Sequence, residues 1–578
     1  MRKSPPRFIP RRLCGSVLSN INTLFAPGRI SLWSRWRKVV QFLGLFSLCC
    51  FLAVSCGGPA ANSPNAGGDP NRIVIGTTGK IRTIDPADSY EIQSGMLLYN
   101  MGDRLYTFES GTLNLKPQLA TELPTISADG ITYTMPLREG VVFHDGTPFN
   151  AEAMVFSLRR FMENGGNPSS LLANIVESVE AIGEYELKIV LKQPFAAFAS
   201  LLTFPGICAV SPAAYEIGEG KFQSDRFVGT GPYKLANYGT DSIKLEVFED
   251  YWGSPPANKG IDLQRFSSPV NLYNAFRTRA VDVSFGALGL EQITSLEREA
   301  KSNKWQAISQ GSAGINVLSI NLRDPALSNP DVREALAAIV DRNLLESRVF
   351  RGQMEPLYSL IPISLAEFYQ PVFQTEYGDG NTAKAKEALA RAGYSTANPV
   401  KLELWYRSNA TNDSLVATTI KAWVEKELEG AMVIELNSVE AATAYNNLDK
   451  GVYPLFILDW SPDFLDPDNY IQPFLDCEKG SEEKGCESGE SQLWGSFYYS
   501  DRVNQLIEQQ RQEQDPQKRQ QIFLELQNIL ARDIPFIPLW QGKEYIFSQN
   551  NIQGATLEPS QRFPFWPISR TELLPLVR

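Results

Sequence analysis

Histidine is almost absent from this chain: His144 is the only one in 578 residues. A serine triad would have to use it, yet no G-x-S-x-G segment is present to hold the nucleophile. An H-E-x-x-H zinc motif is impossible with one histidine, and no G-x-x-x-x-G-K-[ST] loop is present to bind nucleotide phosphates. These absences argue against an enzyme, so we expect no catalytic residues, no cofactor and no metal site.

Positive charge is scarce outside the amino-terminal segment. The chain has 54 Lys and Arg against 65 Asp and Glu, a net charge of −11. Residues 1–55 contain nine Lys or Arg and no acidic residue, so the remainder is more acidic still. Nucleic-acid affinity comes mainly from cationic contacts with phosphate, so the acidic body disfavours a nucleic-acid partner. The length predicts several domains.

The amino-terminal segment has the order of a bacterial lipoprotein signal. After the basic stretch comes an apolar run, residues 39–54, which has the length of a signal-peptide core and is short for a membrane span. It ends in Leu-Ala-Val-Ser-Cys56, which resembles a lipobox. We therefore expect residues 1–55 to be a signal peptide and Cys56 to carry lipid, with residues 56–70 as a flexible tether. The alternative is a retained membrane anchor.

Two cysteines of the expected mature chain flank a short polar segment. Cys477 and Cys486 enclose the sequence EKGSEEKG, and an oxidising compartment outside the cytoplasm favours a disulfide bond between them. Their spacing does not resemble a zinc site, which would need four ligands. We therefore predict a bridged loop at this position.

Strand and helix patterns alternate along the body of the chain. Ile73–Ile75 and Ile131–Thr134 are typical of strands. Asn329 followed by proline, and Asp515 followed by proline, predict the starts of two helices, and Thr382 predicts the cap of another. The mixture predicts α/β or α+β architecture.

One long stretch resembles a known family. Leu119-Ala120 leads into Asp129-Gly-Ile-Thr-Tyr-Thr-Met-Pro-Leu-Arg138 and Gly140-Val-Val-Phe-His-Asp-Gly146, and the order continues through Gly229–Tyr233 and Trp460–Pro467. This pattern resembles the family 5 solute-binding proteins, the peptide and nickel binders of ATP-binding-cassette (ABC) importers. Met135 stands where the family has Phe. Within this motif His144 is expected to be a structural turn residue.

The resemblance implies a two-lobed periplasmic-binding-protein-like fold with an extra inserted domain and a hinge of crossing strands. Ligand would be enclosed between the lobes by closure about that hinge. Lobe I is expected at residues 71–104, 228–318 and 540–578, the inserted domain at 105–227, and lobe II at 319–539.

The resemblance also implies a binding site, centred on the acidic aromatic segment 459–468. In peptide-binding relatives the Asp of Trp-x-x-Asp holds the ligand's amino terminus, and that position is Asp463 here. Trp460 would supply a flat wall, and Asp459 lies beside it. Tyr90 and Glu91, which follow the first Asp-Pro, are further ligand-contact candidates. Asp466 and Asp468 could equally cap a turn.

The implied function is a lipid-anchored, monomeric binding protein that captures oligopeptides or dipeptides and delivers them to the permease and ATPase of an importer. In some relatives an Arg just before the Trp segment holds the ligand carboxylate, but this chain has Phe456-Ile-Leu458 there. Another solute therefore stays open: chelated nickel, an opine or an oligosaccharide. A receptor that signals without transport is a further alternative.

Overall fold

The computed structural model describes residues 71–571 except 287 and 561. The predicted signal peptide, Cys56 and the predicted tether lie outside the described residues. No helix within the described part of the chain is long and apolar enough to cross a membrane.

The fold is mixed α/β, as predicted. The described strands are β1 Ile73–Thr77, β2 Tyr106–Phe108, β3 Leu115–Pro117, β4 Thr125–Ile126, β5 Thr132–Pro136, β6 Val176–Gly183, β7 Glu186–Leu191, β8 Tyr233–Tyr238, β9 Ser242–Val247, β10 Ile261–Arg265, β11 Val283–Phe285, β12 Trp305–Ile320, β13 Met354–Pro356, β14 Val400–Arg407, β15 Met432–Val439, β16 Leu455–Trp460, β17 Lys479–Ser481, β18 Gly485–Ser488, β19 Phe536–Gln549, β20 Ile552–Gln553 and β21 Ser569–Arg570.

Helices of four residues or more pack around these strands. They are Ile92–Met101, Ala151–Glu163, Ser170–Ala173, Phe198–Leu201, Pro269–Arg277, Leu290–Ala300, Pro330–Ile339, Arg342–Leu345, a π-helical turn Glu346–Phe350, Val372–Tyr377, Thr382–Arg391, Thr411–Glu427, Ala441–Leu448, Asp468–Leu475, Glu490–Leu493, Asp501–Gln512 and Pro516–Asp533.

Helix starts follow their capping residues. Asn329 and Asp515 accept hydrogen bonds from the first backbone N–H groups of their helices, each with proline at the first position, as predicted. The expectation for Thr382 is wrong by one residue: Asn381 caps that helix by accepting from the backbone N–H of Lys384. Asparagine is at least as good a cap as threonine, so the earlier residue takes the role.

One large sheet runs through the molecule in the order β15-β14-β16-β12-β19-β11-β1-β10-β9-β8, with β13 also paired to β19. A smaller sheet, β4-β5-β7-β6, is formed within residues 125–191. The two long strands β12 and β19 are antiparallel to each other, and their register shifts between Gly311 and Ile315.

These two strands connect two hydrophobic cores. Beyond the register shift, residues 315–320 and 536–540 belong to a core built from helices and strands of residues 315–540. On the other side, β19 pairs with β11 and β11 pairs with β1, and buried residues of β1 and β11 belong to a core formed by residues 73–285, Phe464 and residues 546–568. The molecule is thus two-lobed, with strands crossing between the lobes. The residue boundaries of the lobes stay a prediction.

Candidate functional site

A cavity of about 430 Å³ is lined by residues from five separate parts of the chain. These are the end of β16 with the segment that follows it, the start of the helix Ile92–Met101 with the loop before it, Phe108 of β2, the turn at residues 203–206 and the stretch near residue 560. The five ligand-contact residues predicted from the sequence, Tyr90, Glu91, Asp459, Trp460 and Asp463, all line it. The structure therefore brings together residues that are more than 350 positions apart in the chain.

A buried ion pair holds the loop that carries Tyr90. Asp85 is fully buried and binds the guanidinium of Arg160 with both carboxylate oxygens, at 2.7 Å each. The same carboxylate also accepts from the backbone N–H groups of Ala87 and Gln223. Because the Asp85–Arg160 pair has two hydrogen bonds and the carboxylate also accepts from two backbone N–H groups, the pair allows one geometry. It therefore fixes the start of the loop that carries Tyr90.

Two further aspartates fix the segment after β16. Asp466 binds Arg519 through both oxygens at 2.6 and 2.7 Å, and Asp468 binds Arg511 at 2.8 Å. All of these side chains except Arg511 are more than nine-tenths buried. Their arginine partners compensate both carboxylates, so Asp466 and Asp468 have the structural role that was one of their two sequence interpretations.

Asp463 differs from these neighbours because it has no cationic partner in the described part of the chain. Its carboxylate accepts a 2.6 Å hydrogen bond from the Tyr90 hydroxyl, while its backbone N–H donates to the side chain of Asn469. Among the described residues, no lysine or arginine nitrogen lies within 4.0 Å of it. Burial raises the pKa of Asp463, and hydrogen bonds from Tyr90 and Asn469 oppose that shift. The site thus contains a desolvated carboxylate that a cation would stabilise.

Tyr90 stands between the solvent and this carboxylate. The residue is 49% exposed, and its ring lies 6.3 Å from that of Phe204 between centroids. Burial of the hydroxyl and the negative charge of Asp463 both raise the pKa of Tyr90, so it stays a hydrogen-bond donor at neutral pH.

Trp460 forms a fixed aromatic wall. Its indole N–H donates to the backbone carbonyl of Asn469 at 2.8 Å, and its ring meets those of Trp494 and Phe474 edge-on. Because the indole N–H is satisfied and the edges are packed, the ring orientation is set before any ligand arrives.

The other two predicted residues are already paired. Asp459 forms a 2.7 Å ion pair with Arg407, and Glu91 forms a 2.8 Å ion pair with Arg82. They line the cavity, but their charges are compensated by the protein itself. Asp463 is therefore the better candidate for holding a ligand cation.

Sequence reasoning missed one charged residue of the cavity, Arg562. It lies in Gln561-Arg-Phe-Pro564, a segment without a motif, about 100 positions after the Trp segment. No local signal could have found it, because its position depends on how the end of the chain folds back.

Two predicted features lie outside the cavity. His144 accepts from the backbone N–H of Gly229 and bonds the carbonyl of Gly231 at 2.9 Å, and burial lowers its pKa to about 4. The neutral ring thus links two backbone segments.

Cys477 and Cys486 form a disulfide bond across the β17–β18 hairpin, with Cα atoms 5.7 Å apart.

The molecule has two lobes joined by crossing strands. Its cavity has aromatic walls and contains a carboxylate that no described residue neutralises. These features define a solute-binding protein. Residues 114–482 match the family described as bacterial extracellular solute-binding proteins, family 5 Middle, and this is more than half of the chain. The chain belongs to that family, as the sequence motifs predicted.

Individual relatives agree with this assignment. The glutathione-binding protein GsiB of Escherichia coli K12 is 29% identical over 514 residues, which cover 85% of this chain and 93% of GsiB. The DppA protein of Helicobacter pylori, solved with the peptide STSA, superposes with a TM-score of 0.67 at 23% identity, covering 86% of this chain and 98% of DppA. NikA of Brucella suis, solved with Fe(III)-EDTA, superposes with a TM-score of 0.75 at 20% identity, covering 87% and 100%.

Proposed function

We propose that this protein captures peptide-like solutes with a free amino group and delivers them to the permease and ATPase of an ABC importer. The observation that carries the proposal is Asp463, a carboxylate in the cavity with no cationic partner among the described residues. Burial disfavours the negative charge of the Asp463 carboxylate, and a ligand ammonium would stabilise that charge through a charge-assisted hydrogen bond.

The surroundings of Asp463 suit a peptide. The Tyr90 hydroxyl can hold the carboxylate in place, and the Trp460 ring offers a face on which side chains of many kinds can pack. A volume of about 430 Å³ lies within the usual range for small-molecule sites, which suits a short peptide. The names of relatives support this choice, since GsiB is a glutathione-binding protein and DppA was solved with a tetrapeptide.

The proposal includes the mechanism of capture and the location. One lobe would be formed by residues 71–104, 228–318 and 540–578, with residues 105–227 inserted as an extra domain. The other lobe would be formed by residues 319–539. Rotation about β12 and β19 would then close the cleft between the lobes. Cys56 would carry the lipid that holds a monomer at the membrane beside its permease. The family does not consist of enzymes, and the proposal requires no catalytic step.

Ligand identification tests the proposal directly. The purified protein is analysed by native mass spectrometry for bound solute and then by thermal unfolding with dialanine, trialanine, tetraalanine, glutathione, Ni(L-His) and maltotriose. We expect one or more of the peptides to raise the midpoint. Stabilisation only by the nickel chelate or the sugar would overturn the peptide assignment while leaving solute binding intact.

The importer partner needs a separate experiment. Cells lacking the gene are compared with wild type for uptake of the labelled peptide identified above. Uptake should fall in the mutant and return with the intact gene. Unchanged uptake, with an altered transcriptional response to the peptide, would instead support a receptor.

A further inference from the structure

The cavity also contains an arginine that has no counter-charge among the residues the structure describes. Arg562 lines the cavity, and among the described residues no carboxylate oxygen lies within 4.0 Å of its guanidinium. Glu558, the nearest acidic residue in sequence, is used elsewhere: it accepts from the Ser110 hydroxyl at 2.8 Å and from the backbone N–H of Gly111 at 2.6 Å. Nothing in the described part of the chain therefore neutralises Arg562.

A second guanidinium, Arg104, is buried nearby. It is 1% exposed, and its carbon lies 4.8 Å from the centre of the Tyr99 ring. One nitrogen donates to the carbonyl of Gly102 at 2.9 Å, but within residues 71–571 as described Nε and Nη2 have no hydrogen-bond partner. The adjacent Asp103 forms no ion pair with it within 4.0 Å, and it accepts instead from the side chains of Gln118, Thr230 and Trp252.

The positive charge of Arg104 adds to the cost of removing Arg562 from water. Burial and, to a smaller extent, the positive charge of Arg104 lower the pKa of Arg562 to about 10. Elsewhere the protein compensates buried arginines, as when Arg160 and Arg519 each bind a carboxylate with two hydrogen bonds. Arg104 is buried and Arg562 is part-buried, and a guanidinium group removed from water without a counter-charge is costly. An anion that enters the cavity would reduce this cost.

We propose that Arg562, supported by the buried charge of Arg104, binds a carboxylate group of the solute. The cavity would then recognise a zwitterion, since Asp463 offers the opposite charge to the solute's ammonium. The inference rests on the proposed function and narrows it, because neutral sugars and peptides without a free carboxylate become poor ligands. It also supplies an anion contact that the Phe456-Ile-Leu458 stretch cannot provide.

Calorimetric titration with trialanine and trialanine amide tests the inference on wild type, Arg562→Gln and Arg562→Lys. Losing one partner of a buried charge pair commonly costs affinity by about 30-fold or more. We expect the wild type to bind the amide at least about 30-fold more weakly than the acid, and Arg562→Gln to bind both about equally weakly. Arg562→Lys should keep part of the preference. Equal affinity of the wild type for acid and amide would overturn the inference.

The control variant is Arg502→Gln, which removes a surface arginine that pairs with Glu525 far from the cavity lining. It should bind trialanine as the wild type does. Thermal unfolding should show that Arg562→Gln is folded, because it removes a charge that burial disfavours. If Arg562→Gln binds trialanine as tightly as the wild type does, Arg562 does not hold the carboxylate.

A small anion separates this inference from the peptide assignment. N-acetylglycine is added to the wild type and to Arg562→Gln at constant ionic strength, with chloride as the reference. The anion should raise the unfolding midpoint of the wild type more than that of the variant. If no peptide binds but this difference is present, the peptide assignment fails and the anion site stands. If no peptide binds and the two proteins respond equally, the anion site fails as well.

Discussion

The Tyr90 hydroxyl donates a 2.6 Å hydrogen bond to the Asp463 carboxylate, although 373 positions separate the two residues in the chain. Each side is held by its own buried ion pair, Asp85 with Arg160 on one side and Asp466 with Arg519 on the other. The carboxylates that support the site are thus neutralised, whereas Asp463 has no cation among the described residues. Such a division is expected where a ligand provides the missing charge.

The first prediction concerns Asp463→Asn, which keeps the shape of the side chain and removes its charge. Binding of trialanine should weaken by about 2–5 kcal/mol, because a desolvated charge pair loses one partner. Acetyl-trialanine should bind the wild type weakly and lose little more on the variant, since both changes remove the same interaction. Calorimetric titration of both proteins with both peptides measures this coupling.

A matched control for this variant is Asp501→Asn. Asp501 also accepts a hydrogen bond from a tyrosine, Tyr499, but on the exposed surface and away from the cavity lining. It should leave peptide affinity unchanged. If Asp463→Asn binds the free-amine peptide as tightly as the wild type does, Asp463 is not the amino-group contact.

The second prediction concerns pH. Burial raises the pKa of Asp463 in the free protein, and a bound ammonium would lower it again. Binding should therefore release a proton, and affinity should fall as the pH drops through the raised pKa of the free carboxyl group. Titrations from pH 7.5 downward, in buffers with different heats of ionisation, measure the proton release. The Asp463→Asn variant should show only the pH dependence of the peptide itself, and an unchanged pH profile in that variant would contradict the assignment.

The sequence predicted which residues meet in the cavity but not how their charges are balanced. The family motif placed Trp460 and Asp463 on one segment, and Tyr90 and Glu91 after the first Asp-Pro. It did not show that Arg407 neutralises Asp459 or that Arg82 neutralises Glu91, because a side-chain pairing depends on rotamers and on tertiary contacts.

The same limit applies to the fold. The helices after Asn329 and Asp515 could be located because a cap followed by proline is a local signal. Arg562 could not be found, because nothing in its neighbouring residues marks a position that becomes significant only when the end of the chain reaches the cavity. Helix caps could be predicted because they depend on neighbouring residues in the sequence. Cavity residues depend on contacts between distant parts of the chain, so they could be predicted only where a family motif marks them.

The third prediction concerns Cys477 and Cys486. The chain should form this disulfide bond when isolated from an oxidising compartment, as the 5.7 Å between their Cα atoms permits. The closed loop is short, so the expected stabilisation is only about 2–3 kcal/mol. Alkylation of the denatured chain before and after reduction, with mapping by mass spectrometry, should show both thiols only after reduction. Cys208, a buried free thiol, is the internal control because it should be labelled in both states.

The fourth prediction concerns the membrane anchor. The mature chain should begin at Cys56 and partition into detergent, because a basic stretch, an apolar run and small residues precede this cysteine. Cys56→Ala should block processing or release the protein from the membrane fraction. Continued attachment of a processed Cys56→Ala protein would rule out the lipid, and a wild-type protein that still carries residues 39–54 would indicate the retained anchor.

The last prediction separates structural carboxylates from the ligand carboxylate by their effect on stability. Asp466 and Arg519 form a buried bidentate pair, with each side chain 9% exposed, so Asp466→Ala leaves an uncompensated buried guanidinium and should cost about 3–5 kcal/mol of unfolding free energy. Asp463→Asn should leave stability unchanged or raise it slightly at neutral pH. Because the folded-state pKa of Asp463 is raised, its contribution to the free energy of unfolding is present at low pH and is lost as the pH rises through that pKa. Asparagine has no charge to desolvate, so the variant avoids this loss at neutral pH. Urea unfolding at pH 7 without ligand measures both variants. If Asp463→Asn is destabilised as strongly as Asp466→Ala, Asp463 is a structural residue like its neighbours, and the Tyr90–Asp463 hydrogen bond stabilises the fold rather than preparing a binding site.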